Sequence, residues 1–326
     1  MNDKNNSAEI KLASIYLNTS PGDYYADENL IKAVEIAIAL GKPLLISGEP
    51  GTGKTQLAHY VAWKLHLQTQ NETFPFIEKP LIFYTKSSSS AGDLFYNYDA
   101  ISHFRTKDEK CETTQFIELN AMGQAIALTH GKTSASLHGI KNIKGYNELL
   151  DEPAGSVVLI DEIDKAPRDF PNDLLNEMEN FEFDIREINQ TIRRADNGAR
   201  MVIIMTSNSE KNLPNAFLRR CVYYNIPFPD EEKLFLITKQ RLSIGNEDYD
   251  IAINKAIQQF LNYRNQAVNK KPATSEFIDW VRVLKDYNLL GNDFSPTPRD
   301  SKVKSNYRAS LNVLFKSNED LEKVIK

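Results

Sequence analysis

The sequence is poor in cysteine, in long apolar runs and in positive charge, and each shortage excludes a class of protein. Its two cysteines, Cys111 and Cys221, cannot build a disulfide framework, and no histidine stands at a metal-site spacing from either. No apolar run approaches the length of a membrane span, and the first residues lack the apolar core of a signal peptide, so we expect a cytoplasmic protein without a membrane segment. Lysine and arginine number 39 against 44 acids, and this net charge of −5 disfavours an extended nucleic-acid-binding surface.

The length of the chain predicts more than one domain. Its composition, 41% hydrophobic and 25% charged, is that of an ordinary globular protein, but 326 residues exceed the range of a single hydrophobic core. Pro227-Phe228-Pro229 interrupts the strand pattern, and the apolar residues after it repeat at helical spacing. We therefore predict a polar N-terminal segment at 1–22, an α/β unit at 23–228 and a helical unit at 229–326.

The chain is organised around residues 43–55, PLLISGEPGTGKT, which fill the G-x-x-x-x-G-K-[ST] template of a phosphate-binding loop. An apolar run before the loop predicts a buried strand, and a helical pattern follows it, which is the context that the motif requires. A merely tight strand-to-helix turn is the alternative. The residues predicted to contact a nucleotide are Gly48, Glu49, Pro50, Gly51, Thr52, Gly53, Lys54, Thr55 and Gln56.

Each residue type in this loop suits phosphate chemistry. Gly51 and Gly53 allow backbone angles that turn several N–H groups inward, and the positive end of the following helix adds to the same field. Lys54 would bridge the β- and γ-phosphates, and the hydroxyl of Thr55 would bind Mg²⁺. The loop thus predicts ATP and Mg²⁺ as ligands.

Residues 80–84 predict a second strand, and a further apolar strand, at 156–160, ends directly in Asp161 and Glu162. Because ligands bind at the carboxyl ends of parallel strands, these acids should lie beside the phosphate loop. We expect Asp161 to hold Mg²⁺ through water and Glu162 to polarise the water that attacks the γ-phosphate. An acidic helix start after a strand is the alternative interpretation.

Two further polar groups follow core strands. The strand at 201–205 leads to Asn208, which could position the attacking water or could be a plain turn residue. Arg219 and Arg220 stand just before a strand at 222–226. They could be surface charge, or they could present a cation to the nucleotide of a neighbouring subunit.

Two stretches interrupt this pattern of core strands. Residues 86–104 predict a loop inserted into the core domain. Residues 182–200 alternate well enough for a β-hairpin, with a turn expected near 196–198, Asp-Asn-Gly. Arginines make the hairpin locally basic, so a role in nucleic-acid binding stays open there.

Together these motifs resemble an AAA+ ATPase over roughly residues 23–290. The resemblance rests on GEPGTGKT, on VVLIDE, on the asparagine after the fourth core strand and on the arginine pair in LRRC. Within that superfamily, GKPLLISGEPGTGKTQLA, DLFYNYDA and TSNSEKNLPNAFLRRCVYYNIPFPD are similar to MoxR-type ATPases, in a group that includes dynein-like modules. The resemblance implies a parallel core sheet in the order 5-1-4-3-2, a C-terminal helical lid, and a ring, usually hexameric, with ATP bound between neighbours.

The resemblance also implies roles for particular residues. Asn208 corresponds to the sensor 1 residue, and Arg220 is the first choice for the arginine finger, with Arg219 the second. The 86–104 insertion and the 182–200 hairpin would both face the central channel or the rim of the ring.

This sequence departs from the family at one position. The sensor 2 arginine normally stands near the start of a lid helix, where this chain has Ser275 and Glu276. Lys271 and Arg299 are the nearby cations that could replace it. The chain thus has no arginine at the position from which the lid would contact the γ-phosphate.

These observations support one leading hypothesis and two alternatives. The leading one is a ring-forming ATPase that remodels or activates a partner protein, and kinship to MoxR implies a von Willebrand factor A domain protein as that partner. The departure at sensor 2 motivates an ATP-gated scaffold with little turnover. The arginines of the hairpin motivate a nucleic-acid-stimulated motor, which the net charge of −5 disfavours.

Overall fold

A computed structural model describes residues 20–106, 111–242, 248–290 and 301–325. The strands are β1 Leu44–Gly48, β2 Leu81–Tyr84, β3 Tyr96–Tyr98, β4 Ile117–Leu119, β5 Ser156–Asp161, β6 Glu182–Ile185, β7 Gln190–Arg193, β8 Met201–Ser207 and β9 Val222–Ile226. The α-helices are α1 Glu28–Leu40, α2 Lys54–Thr69, α3 Ala100–Arg105, α4 Ala121–Leu128, α5 Phe170–Asn180, α6 Asn215–Leu218, α7 Glu231–Leu242, α8 Asp248–Gln266, α9 Thr274–Asp286, α10 Ser301–Ser310 and α11 Asn318–Ile325. Most of the predicted N-terminal segment at 1–22 lies outside the described residues.

Five parallel strands form the central sheet in the order β2-β5-β8-β1-β9. Counting only these five in chain order, the arrangement reads 5-1-4-3-2 from the β9 edge, so the predicted order is confirmed. Leu44 of β1 lies opposite Ile204 of β8 and Val222 of β9. Because the strands run in one direction, the residues that follow β1, β5 and β8 meet at one edge of the sheet.

Both faces of this sheet are covered, which explains the continuous apolar runs in its strands. Leu44 and Ile46 belong to one apolar cluster, together with α1 and α2. Leu45, between them, points to the opposite face and joins the cluster formed with α4 and α5. The phosphate loop therefore begins at the end of a strand that is buried on both faces.

The helices on either side of β1 have clear start and stop signals. The side chain of Asp27 caps α1 by accepting the N–H of Leu30 at 2.9 Å, and α1 ends at Gly41, whose φ is 60°. α2 begins directly after Gly53, which has a φ of 86°. The chain therefore enters and leaves β1 through short, fixed connections.

The hairpin lies within the predicted range, but the predicted turn at 196–198 is wrong. β6 and β7 pair antiparallel, and Ile185 lies opposite Gln190. The chain reverses earlier because Asn189, with a φ of 51°, adopts the left-handed conformation that a tight turn needs. Gly198, with a φ of 91°, instead bends the chain toward β8.

The segment predicted as an inserted loop at 86–104 contains regular structure. β3 pairs antiparallel with β4, and Tyr96 lies opposite Leu119. The short helix α3 follows and exposes Ile101 and Phe104, with exposed fractions of 66% and 93%. This segment is therefore a folded excursion that presents two apolar side chains at its surface.

The described residues after 229 are mainly helical, as predicted, and pack around their own apolar cluster. Phe260, Phe277 and Trp280 are fully buried at its centre. We refer to this helical unit as the lid. Among the helices that the structure describes, none combines the length and the apolar character needed to cross a membrane.

Candidate active site

The phosphate loop links β1 to α2 and depends on glycine at two positions. Gly51 has a φ of 76° and Gly53 a φ of 86°, both in the left-handed region. Gly51 also meets the lid, because a Cβ placed there would lie 2.5 Å from Oγ of Ser275. Its carbonyl accepts the N–H of Ser275 at 3.2 Å. The loop is thus shaped both for a ligand and for the start of α9.

Lys54 and Thr55 open α2 with their side chains in the loop. Nζ of Lys54 donates to the carbonyl oxygens of Gly48 and Glu49, at 2.8 and 2.9 Å. Oγ1 of Thr55 donates to the two carboxylate oxygens of Asp161, at 3.0 and 3.2 Å. The structure thereby brings together the hydroxyl and the carboxylate that the sequence assigned to Mg²⁺.

The acids after β5 are held by the end of β8. Thr206 donates its hydroxyl to Asp161 at 2.6 Å and accepts the N–H of Glu162 at 2.8 Å. Glu162 has a φ of 55°, and its carboxylate accepts Nδ2 of Asn208 at 3.0 Å. Its other oxygen contacts Nζ of Lys165. The predicted acid and the predicted asparagine are therefore direct neighbours.

Asp164, which the sequence did not single out, fixes the loop that carries the asparagine. Its carboxylate accepts the backbone N–H of Asn208 at 3.1 Å and that of Glu210 at 2.8 Å. Only 2% of Asp164 is exposed. A buried carboxylate needs such donors, and the position of Asn208 is fixed as a result.

Burial and the nearby carboxylates have opposite effects on the pKa of Lys54. Burial lowers the pKa of Lys54, and the carboxylates of Asp164, Asp161 and Glu162 oppose that shift. The pKa of His59, one turn along α2 from Thr55, is likewise lowered by burial and opposed by Asp161. A phosphate that binds here meets a cation held in a partly dry environment, where charge interactions are strong.

A cavity of 430 Å³ opens between the phosphate loop, the acids and the lid. Seven of the nine predicted loop residues, Pro50 through Gln56, line it, and Asp161, Glu162 and Asn208 do so as well. Gly48 and Glu49 lie outside the lining. Its size, and a wall that combines polar and charged groups with apolar side chains, suit a nucleotide.

Other residues that line the cavity belong to no sequence motif, so the sequence did not predict them. Tyr24 and Tyr25, just before α1, line the cavity, and so does Thr206 of β8. From the lid come Ile237 and Arg241 of α7 together with Thr274, Ser275 and Ile278 of α9. The adjacent tyrosines before a helix cap were the one available signal, since the lid residues gather only through the tertiary fold.

The lid also holds the phosphate loop through Arg264 of α8. Its guanidinium donates to the carboxylate of Glu49 at 2.6 Å and to the carbonyl of Pro272, and its Cζ lies 3.7 Å from the ring centroid of Phe228. The side chain of Arg264 is 9% exposed, whereas that of Glu49 is 51% exposed. The side chain of Glu49 thus faces the lid rather than the cavity.

The paired arginines lie elsewhere. Arg219 and Arg220 follow α6, both are exposed, and neither lines the described cavity of its own chain. Nη1 of Arg220 donates to the carbonyl of Ala216 at 3.4 Å. Contact between either arginine and a nucleotide would therefore need a second copy of the chain.

The sensor 2 candidates are separated in the structure. Ser275 lines the cavity, but Glu276 does not, because its carboxylate accepts the N–H of Ala273 at 2.8 Å and caps α9. Lys271 is exposed and lies outside the lining of the cavity. Arg299 lies outside the described residues.

Magnesium fits one place in this arrangement. In the described part of the chain, no three His, Cys, Asp or Glu side chains gather as a metal cage. The hydroxyl of Thr55 would bind a Mg²⁺ shared with phosphates and water, and the carboxylate of Asp161, 3.0 Å from that hydroxyl, would hold the ion through water.

The family model for ATPases associated with various cellular activities (AAA) matches residues 44–228. The chain belongs to the AAA family. Membership supports nucleotide binding, ATPase activity in general and oligomeric assembly, and it confirms the AAA part of the resemblance.

Solved structures similar to this AAA chain include a mutant of RuvB from Thermotoga maritima and PCH-2 from C. elegans. The RuvB structure is 17% identical, covers 87% of this chain and 69% of its own, and has a TM-score of 0.43. PCH-2 is 18% identical, covers 93% of this chain and 70% of its own, and has a TM-score of 0.45. No curated protein matches the sequence.

Proposed function

We propose that this AAA protein is a MoxR-like ATPase that hydrolyses ATP between the subunits of a ring and uses the cycle to remodel or activate a partner protein. The observation that carries the hydrolytic part is the contact of Glu162 with Asn208, at 3.0 Å, beside the pair of Thr55 and Asp161. A scaffold that only binds ATP has no need of a positioned carboxylate at this place.

Each side chain has a distinct task in the proposed reaction. Mg²⁺, when bound, would neutralise charge on the β- and γ-phosphates. Thr55 and Asp161 would hold it, and Lys54 would exchange its two carbonyl partners for phosphate oxygens. Glu162 would accept a proton from the attacking water, which Asn208 would orient.

Arg220 is proposed to complete the site of the neighbouring subunit, with Arg219 as the second candidate. Both are exposed on their own chain, as a cation offered to a neighbour must be. A guanidinium suits the charge that builds up on the γ-phosphate as its bond to the β-phosphate breaks. The ring, hexameric by kinship to MoxR, would form through this contact.

The decisive experiment mixes two inactive variants. Glu162→Gln should keep ATP affinity and lower turnover by about 10²-fold or more, because it lacks the base. Arg220→Ala should bind ATP and lose on the order of 10³-fold in turnover. Phosphate release is measured for each variant alone and for their mixture, at several total concentrations, and Arg219→Ala is measured in the same way as the second candidate.

The mixture distinguishes action between subunits from action within one. If Arg220 serves a neighbour, mixed rings contain some sites with an intact Glu162 from one copy and an intact arginine from the next, and activity returns. A mixture as inactive as its parts refutes the role across the interface. Negligible turnover of the unmodified protein at every concentration supports the scaffold instead, and strong stimulation by DNA supports the nucleic-acid motor.

The partner is proposed from kinship alone, and a von Willebrand factor A domain protein is the first candidate. Glu162→Gln held in ATP should retain a partner that the unmodified protein releases. Recovery of the same protein with both forms, independent of ATP, would count against remodelling by the nucleotide cycle.

A further inference from the structure

The lid brings to the cavity a cation that none of the family motifs accounts for. Arg241, in the last turn of α7, is partly buried and lines the cavity. It makes neither a hydrogen bond nor an ion pair with any other residue that the structure describes. Ile237, one turn earlier on the same face of α7, lines the same wall. A guanidinium held in a cavity without a carboxylate beside it is suited to an anionic ligand.

The neighbours of Arg241 locate it along the cavity. Burial raises the pKa of the Tyr24 hydroxyl, and the positive charge of Arg241 acts in the opposite direction. The ring of Tyr24 in turn lies against Gly53, because a Cβ on Gly53 would come within 3.1 Å of Tyr24 Cε2. Gln240 ties this end of α7 down by donating to the carbonyl of Gly22 at 3.0 Å. Arg241 therefore lies at the end of the cavity where Tyr24 packs against Gly53.

This side is the end of the site that takes the inner phosphates. In a phosphate loop of this type, the backbone N–H groups hold the α- and β-phosphates. The γ-phosphate belongs beside the contact of Glu162 with Asn208, where the attacking water would be activated.

The start of α9 supplies no cation that could bind these phosphates. Ser275 donates its N–H to the carbonyl of Gly51, and Glu276 caps the helix. Oγ1 of Thr274 is buried without a hydrogen-bond partner among the described residues. Among the lid residues that the structure describes, the cation that lines the cavity thus comes from α7.

We propose that Arg241 binds the α- and β-phosphates shared by ATP and ADP, so that the lid of this protein recognises a nucleoside diphosphate unit and not the γ-phosphate. The inference rests on the proposed function, because it presumes that the cavity takes a nucleotide. Asn208 and the neighbouring subunit would then recognise the γ-phosphate. The lid would keep its contact with the α- and β-phosphates after hydrolysis.

The test compares affinities for ATP and ADP in the full chain carrying Glu162→Gln, so that ATP persists. Arg241→Ala should raise the Kd of both nucleotides by about tenfold or more, because one charge-assisted contact is lost from each. Arg241→Lys keeps the charge and should recover part of the affinity. Arg308→Ala, an exposed arginine on α10 outside the cavity, is the matched control and should change neither Kd.

Each result separates this role from the others. Loss of ATP affinity with ADP unchanged means that Arg241 reads the γ-phosphate and overturns the proposal, as does an unchanged Kd for both. Thermal unfolding without nucleotide should be the same in all variants, and if the alanine variant does not fold, the neutral Arg241→Gln replaces it. If the unmodified protein binds neither nucleotide, the proposed function itself fails.

Discussion

Replacement of Arg264 by alanine should destabilise the lid far more than replacement of its partner Glu49. The two side chains form an ion pair at 2.6 Å, but they differ in burial, with exposed fractions of 9% and 51%. An ion pair with one exposed member contributes little to stability. The buried Arg264 makes further contacts within the lid, and its removal breaks those as well. We therefore expect Arg264→Ala to lower the free energy of unfolding more than Glu49→Ala does.

The magnitude follows from the contacts of Arg264. Its charge-assisted hydrogen bond to the carbonyl of Pro272 is worth about 1.5–3 kcal/mol. Its stacking on Phe228, with Cζ 3.7 Å from the ring centroid, adds about 1 kcal/mol. The pair with the exposed Glu49 adds no more than about 1 kcal/mol. Arg264→Ala should cost about 2.5–5 kcal/mol in the free energy of unfolding, and Glu49→Ala no more than about 1 kcal/mol.

Trp280 offers a local signal for this measurement. It is fully buried in the lid, and the other tryptophan, Trp63, lies in α2. In a Trp63→Phe background, urea unfolding followed by tryptophan fluorescence reports the lid cluster. The free energy of unfolding is compared for the parent, Arg264→Ala, Glu49→Ala and the double variant.

The double-mutant cycle provides the refutation. The coupling energy between Arg264 and Glu49 should be about 1 kcal/mol or less. Equal costs for the two single variants, or a coupling energy well above about 2 kcal/mol, would show that the ion pair and not the burial of the arginine holds the lid.

Three further changes test other parts of the structure. Gly51→Ala should weaken ATP binding and cost about 1–2 kcal/mol in thermal unfolding, because φ is 76° and the new Cβ meets Ser275 Oγ at 2.5 Å. Burial alone would raise the pKa of Asp27, but its hydrogen bond to a backbone N–H and a lysine on α7 lower it below the ordinary 3.8. This stabilisation is present above that value and is lost as the pH falls through the lower folded pKa, so Asp27→Asn should flatten the acid limb of unfolding measured below about pH 4. Asp164→Asn should lower kcat by roughly tenfold and leave KM unchanged, because the loop of Asn208 loses a carboxylate acceptor.

The sequence predicted the parts of the site that local patterns encode. The phosphate loop depends on residues within one turn of chain, and Asp161 and Glu162 follow directly from a strand that reads as fully buried. Their meeting at one edge of the sheet follows from parallel strands. The sheet order was available from the family resemblance, and the structure confirms it.

The parts that the sequence missed depend on where separate elements come together. Arg241 stands in a helix with no motif, and it reaches the cavity only because α7 is tied to the segment before α1. Asp164 follows the acidic motif closely, yet its role comes from the backbone of Asn208, 44 residues later. The hairpin turn was misplaced because Asp-Asn-Gly is a stronger local signal than Asn189, and strand pairing decided between them.

The lid docks at positions that the loop motif leaves open. The G-x-x-x-x-G-K-[ST] template fixes two glycines, a lysine and a hydroxyl residue, and these face phosphate and metal. Glu49 and Gly51 occupy unspecified positions, and they are the ones that meet Arg264 and Ser275 of the lid. A change at Glu49 should therefore alter how the lid is held without removing a phosphate ligand, whereas a Cβ at Gly51, where φ is 76°, also strains the backbone of the loop itself. For this reason we expect Glu49→Ala to loosen the lid and to leave the affinity of the loop for phosphate nearly unchanged.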